Sequence, residues 1–260
     1  MNQEYRVVDK FLKNGHGLLF AYDHGFEYGP GHFDERSVEP TYALELAESG
    51  GFTGFICQKG IAARYYDPYV HKIPLIVKLN GKTSFRVDKE PKSIQNCSVD
   101  EAISFGAVGV GYVIHVGSLY ESEMIAEFGR IEREGHEKGL AVFVWMYITG
   151  DDILQPEHSG TVAYAARVGM ELNADAIIVK YTGDEGSFRW VVKNAGHAKV
   201  FVVGGPRMDT PYQLTDTAKV IVRTGAAGFA IGRNVWQSKD PIAVVHQIST
   251  ELFGETNISP

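Results

Sequence analysis

The chain has 260 residues, 44% of them hydrophobic, and a formal net charge of −7. That length and apolar content can bury a large core, as one α/β barrel or as two small domains. The acidic balance provides no basic field for nucleic acid or an anionic membrane, and no apolar run approaches the ~18 residues of a membrane span.

Strand-like runs alternate with helix-like ones along the chain, the sequence pattern of a parallel sheet with crossover helices. Residues 18–22 form the first predicted strand, ending at Asp23-His24-Gly25, and residues 41–48 read as a helix. The second strand, 55–57, ends at Gln58-Lys59-Gly60; the third, 74–77, ends at Lys78 and Asn80-Gly81-Lys82. Residues 82–99 are the longest polar segment, read as a loop excursion over a barrel mouth. A fourth strand, 108–113, ends near His115. Met124, Phe128 and Ile131 then recur at helical spacing. The fifth strand, 142–144, runs into Trp145-Met146-Tyr147, and Val162, Ala165, Ala166, Gly169 and Leu172 mark another helix. Residues 176–179 are the sixth strand, with Lys180 at its end and a Thr-Gly-Asp turn behind it. The seventh, 200–203, enters Gly204-Gly205-Pro206; the eighth, 229–231, enters Gly232-Arg233-Asn234; a last helix covers about 241–252. Eight strand–helix units in this length predict an α/β fold, a single (β/α)₈ TIM barrel, with residues 1–260 as one catalytic domain. The mixed polar N-terminus and the two cysteines, Cys57 and Cys97, without a disulfide framework, point to a cytoplasmic protein.

In such barrels the site lies at the C-terminal strand ends, and here nearly every strand ends in polar or glycine-rich residues. Gly204-Gly205 and Gly232-Arg233 follow the seventh and eighth strands, where backbone N–H groups can approach phosphate oxygens. Two lysines compete as nucleophile. Lys180 ends a strand of buried character, and burial disfavours an ammonium; a neutral lysine can attack a ketone and form a Schiff base. Lys78 also ends an apolar run, and spacing does not choose between them. Tyr147 lies on the same strand face as Trp145 and is a candidate proton donor and acceptor. Asp23 is read as a substrate ligand, a partner that holds a lysine charged, or a helix cap. The nine histidines include no His-x-x-x-His pair, so a catalytic metal is not expected. Gly109-Val110-Gly111 lies inside a strand and lacks a dinucleotide fingerprint.

Asp-His-Gly-Phe-Glu-Tyr-Gly-Pro from Asp23, Lys-Leu-Asn-Gly-Lys-Thr from Lys78, Asn-Cys-Ser-Val from Asn96, Trp145-Met146-Tyr147, Lys-Tyr-Thr-Gly-Asp from Lys180, Gly-Gly-Pro from Gly204 and Gly-Arg-Asn-Val-Trp from Gly232 together resemble the archaeal-type class I fructose-1,6-bisphosphate aldolases. The resemblance implies a TIM barrel, metal-independent aldol cleavage through a covalent Schiff base on Lys180, no cofactor, a phosphorylated sugar as substrate and a large homo-oligomer. It further implies Tyr147 as proton donor and acceptor, with Trp145 and Asp23 positioning the substrate. Gly204, Gly205, Pro206, Arg207, Gly232 and Arg233 would hold the phosphate nearest the ketone, and Gln58 and residues near His24 the remaining sugar chain. Tyr28 stands where the family pattern has a histidine, and Ile148-Thr149 also differs; both are expected near the distal phosphate. Rival readings are a Lys-dependent enzyme building a dideoxy-heptulosonate and a barrel that binds sugar phosphates without covalent chemistry.

Overall fold

A computed structural model describes residues 7–85, 90–205 and 211–254, the side chains of Pro211 and Tyr212 excepted. Eight parallel strands close on themselves: β1 (Gly17–Ala21), β2 (Gly54–Gln58), β3 (Leu75–Lys78), β6 (Gly109–Val116), β7 (Ala141–Ile148), β8 (Ala176–Val179), β9 (Lys199–Val203) and β10 (Gly228–Ile231), with β10 pairing back onto β1. The barrel is the TIM barrel that the alternating pattern predicts. Between β3 and β6 the polar excursion carries a two-stranded antiparallel pair, β4 (Asn80–Gly81) and β5 (Ile94–Gln95). Helices α2 (Pro40–Ser49), α3 (Lys59–Tyr65), α4 (Val99–Ser104), α5 (Glu121–Glu137), α6 (Ser159–Glu171), α7 (Glu185–Asn194), α8 (Pro211–Thr224) and α10 (Pro241–Phe253) form the outer layer. Two short helices, α1 (His24–Tyr28) and α9 (Arg233–Trp236), sit at the ends of β1 and β10.

The period-2 alternation of a strand sorts the core into two layers. Along β7, Val142, Val144 and Met146 pack outward against the helices, while Phe143, Trp145 and Tyr147 face the barrel axis. The inner layer also holds Leu19, Ile56, Ile76, Val113, Ile178 and Phe201. The turn Val7–Phe11 closes the N-terminal end, with the Phe11 ring edge-on to Phe143 at 5.1 Å. Gly111 explains the short Gly-x-Gly inside β6: a Cβ there would stand 2.6 Å from the Trp145 ring, so the glycine is a packing requirement. Among the described residues, no helix is long and apolar enough to cross a membrane.

Candidate active site

The inward parity of the strands continues past their C-terminal ends and delivers the site. Leu19 leads to Asp23, Ile76 to Lys78, Val113 to His115, Trp145 to Tyr147, and Ile178 to Lys180. The β7–β8 register pairs Trp145 with Ile178, which carries on to bring Tyr147 beside Lys180. Two connected lobes open there, and Glu27, Tyr28, Tyr147 and Lys180 line both. One lobe, of about 230 Å³, is completed by Asp23, His24, Trp145, Gly204, Gly205, Gly232 and Arg233. The other, of about 310 Å³, reaches Lys82, Ser84, Ser93, His115 and Thr149.

The glycine-rich lobe is held by cross-ties. Asn234 Nδ2 donates to Gly204 O (2.9 Å) and Arg233 Nη2 to Gly205 O (3.2 Å), joining the ends of β9 and β10. Gly205 has φ +64°, a conformation that favours glycine, and a Cβ on Gly232 would collide with Ala21 O. The Arg233 guanidinium lies over the Tyr28 ring (5.3 Å), and its buried Nε has no hydrogen-bond partner among the described residues. An anion beside these backbone groups would meet a fixed cation with a spare donor. His24 stands in this lobe, beside Gly232 and Arg233. Burial, strengthened by Arg233, Lys78 and His32 against the pull of Asp23, lowers its pKa to about 4, so it is neutral near pH 7. Pro206 and Arg207, expected at this end, lie outside the described residues.

The two lysines lie in opposite environments. Lys180 is not buried: β8 stops at Val179, and the next side chain emerges into the mouth, 61% exposed, with Nζ donating to the exposed Glu157 (3.1 Å). Lys78, still within β3, is fully buried; its Nζ donates to Asp23 Oδ2 (2.6 Å) and to Glu27, and lies 5.1 Å from the Trp145 ring centroid. Burial alone would lower the Lys78 pKa, but the two carboxylates outweigh it and keep the ammonium charged. Burial also opposes the Asp23 charge, yet Lys78 and His24 hold that carboxylate below its usual range. Glu27 is pushed upward, first by burial and then by Asp23. Asp23 makes no side-chain cap bond to α1, and it is a partner that holds a lysine, Lys78, charged.

Tyr147 is held well above its ordinary pKa by burial first and then by Glu27, Tyr28 and Asp23. It is a phenol at rest. In the larger lobe, His115 pairs in register with Tyr147, and its Nε2 meets Ser93 Oγ at 3.1 Å. Burial, aided by Lys82 and Lys78, lowers the His115 pKa to about 4. Lys82 Nζ touches only Thr83 O (3.3 Å), and no carboxylate pairs with it among the described residues. Gln58 departs from expectation. Although inward in parity, its Nε2 donates to Asn80 O (3.1 Å), and it lines a separate groove with Phe26, Lys59 and Asn96. Among the described residues, no group of three His, Cys, Asp or Glu side chains is placed to hold a metal ion.

Sequence reading passed over Glu27 and gave His115 no role beyond metal binding. A signal for Glu27 existed: Asp23 and Glu27 are four residues apart and share one face of a helical turn.

The site's geometry meets independent likenesses. The DeoC/LacD family aldolase profile matches residues 18–238. A class 1 fructose-bisphosphate aldolase of Thermoproteus tenax is 42% identical over 254 residues, covering 95% of each chain. The crystal structure of an archaeal fructose 1,6-bisphosphate aldolase superposes with a TM-score of 0.91 at 41% identity, covering 96% of this chain and 98% of that one. A structure of an archaeal fructose-1,6-bisphosphate aldolase with the catalytic Lys covalently bound to the carbinolamine intermediate of the substrate matches with a TM-score of 0.91 at 40% identity, covering 95% of this chain and 98% of that one. The chain belongs to the DeoC/LacD aldolase family, among its archaeal-type class 1 fructose-bisphosphate aldolases.

Proposed function

We infer that this chain is a class I aldolase that reversibly cleaves fructose 1,6-bisphosphate to dihydroxyacetone phosphate and glyceraldehyde 3-phosphate, through a Schiff base and without a cofactor. The observation that carries the reading is the shape of the site. Lys180 and Tyr147 line both lobes of one cavity, with Arg233 and glycine backbone at one end and Lys82 at the other. A ketose phosphorylated at both ends fits that spacing of anion-binding groups.

In this reading Lys180, as the neutral amine, adds its lone pair to C2, and the carbonyl oxygen takes up a proton to give a carbinolamine. Tyr147 donates its proton to the departing hydroxyl; water leaves, and a protonated iminium remains beside a phenolate. The phenolate then removes the C4 hydroxyl proton. The C3–C4 electron pair moves onto the iminium, giving a neutral enamine and free aldehyde. Tyr147 returns its proton to C3, and hydrolysis releases the ketone and restores the lysine. Asp23 and Trp145 flank the reacting carbons. His24, Gly204, Gly205, Gly232 and Arg233 hold the phosphate next to the ketone, and Tyr28, Lys82 and Thr149 face the distal one.

The deciding experiment is borohydride reduction with fructose 1,6-bisphosphate and EDTA, followed by peptide mapping. The expected adduct is on Lys180, and it persists in Tyr147→Phe while cleavage falls by about 10²–10⁴-fold. An adduct on Lys78 would move the site. No adduct, with sugar phosphate still bound, would overturn the reading in favour of a non-covalent barrel.

Residues 1–260 are further read as one catalytic domain working in the cytoplasm, where its buried free thiols Cys57 and Cys97 stay reduced. A large homo-oligomer completes the reading. The exposed Tyr164 on α6 and Trp190 on α7 support it, and light scattering tests it.

A further inference from the structure

The cluster beneath the site carries one carboxylate more than its lysine requires. Lys78 meets Asp23, Glu27 and the Trp145 ring, and the two acidic side chains are no more than 10% exposed. A buried charge left unbalanced is strongly unfavourable, so a cluster serving stability alone would be a single pair. Turnover fixes a cation against that excess. When Lys180 becomes an iminium, its positive charge can no longer stay with the exposed Glu157 and is held in the lobe that Asp23 and Glu27 line together with Tyr147.

We propose that Glu27 is a positioning residue of the aldol reaction: its carboxylate, the second partner of Lys78, is the countercharge that balances the iminium on Lys180 across the shared cavity. The inference rests on Lys180 being the Schiff-base lysine. A preorganised charge aimed at one that develops during reaction lowers the barrier without reorganisation. In the free protein burial raises the Tyr147 pKa and the same charge adds to the rise, so the donor is loaded before the carbinolamine forms. The other charged or titratable groups facing Glu27 and Tyr147 are Asp23, His24 and Tyr28 from the β1–α1 segment, Lys78 from β3, Lys82 from the loop after β4, His115 from β6, Lys180 after β8 and Arg233 from α9. Asp23 and Glu27 are the carboxylates that act on Tyr147, and Tyr28 adds to their effect.

Glu27→Gln removes the charge and keeps the shape. It is expected to lower kcat by about 10–100-fold while KM stays within about threefold. Losing a negative charge beside Tyr147 lowers that phenol's pKa, so the alkaline limb of the kcat–pH profile moves to lower pH. Glu27→Asp restores most of kcat. The double variant Glu27→Gln/Lys78→Met returns the cluster to one negative charge and is expected to recover at least about tenfold over Glu27→Gln. A Glu27→Gln protein with unchanged kcat and profile overturns the proposal. So does a loss with an unmoved profile that the double variant does not relieve, the signature of a structural role. Should Glu27→Gln not fold, Glu27→Asp, which keeps the charge and the pairing of Lys78, is compared with the unsubstituted protein; an unmoved alkaline limb with kcat within about tenfold supports the proposal, and a larger loss overturns it. Failure to trap Lys180 in the unsubstituted protein is read first, and removes the proposal together with the reading beneath it.

Discussion

The ends of β3 and β8 begin alike and finish as opposites. Each strand is fully buried, and each leads into a lysine on the inward parity. Over β3 the α1 turn folds down, so Lys78 is enclosed by Asp23, Glu27 and Trp145. Past β8 the chain swings outward through Gly183 to Asp184, whose side chain caps α7, and Lys180 stays in the open mouth with the exposed Glu157. Burial by itself would favour a neutral lysine, but burial with two carboxylates has the reverse effect. A nucleophile must shed its proton and reach substrate, so the exposed lysine with one replaceable partner is the better equipped. Lys78 instead serves as a fixed charge.

The sharpest way to break this contrast is to remove each lysine in turn. Lys180→Met is expected to fold normally, form no reducible adduct and lose at least ~10⁴-fold in cleavage. Lys78→Met leaves two buried carboxylates without their cation and is expected to lose about 3–5 kcal/mol of unfolding free energy. The fraction that folds should still form the adduct on Lys180. Urea denaturation beside peptide mapping reads both effects, and an adduct in Lys180→Met would end the assignment.

Much of this contrast lies beyond sequence reading, for physical reasons. The barrel was legible because Val142 to Tyr147 alternate cleanly and each strand ends in a polar or glycine-rich break. The meeting of Gly204-Gly205 with Gly232-Arg233 was legible because they follow consecutive barrel strands. Which lysine is buried was not legible, since that depends on α1, a five-residue helix in a segment that reads as a polar loop. The placement of Gln58 was not legible for a related reason: parity gives the face a side chain starts from, while the hydrogen bond to Asn80 decides where it ends. The β4–β5 pair escaped notice because each strand has two residues, too few to show a period.

The two ends of the cavity offer a second comparison of intermediate size. Arg233 is tied to Gly205 and stacked on Tyr28, whereas Lys82 is unpaired by any described carboxylate. With Thr149 where the family pattern differs, Lys82 carries the positive charge of the larger lobe. Lys82→Met is expected to raise KM for fructose 1,6-bisphosphate by about 10–50-fold, or ~1.4–2.3 kcal/mol, and to leave fructose 1-phosphate nearly unaffected. Equal losses on both substrates, measured by coupled assay, would place Lys82 with the ketone-side phosphate instead.

The smallest effect belongs to Glu157, and its smallness is the point. The Lys180–Glu157 pair joins side chains 61% and 75% exposed, and exposed pairs contribute ~0–1 kcal/mol. Glu157→Gln should therefore leave stability within ~0.5 kcal/mol and change kcat/KM less than about threefold, upward if at all, because the amine then has one fewer partner to leave. Raising the salt concentration should weaken the pair in the unsubstituted protein and mimic the substitution. A loss of more than about tenfold would mean that Glu157 takes part in catalysis. Lys180 would then owe its reactivity to a dedicated carboxylate, and the difference from Lys78 would be one of which acid accompanies the lysine, not of how many.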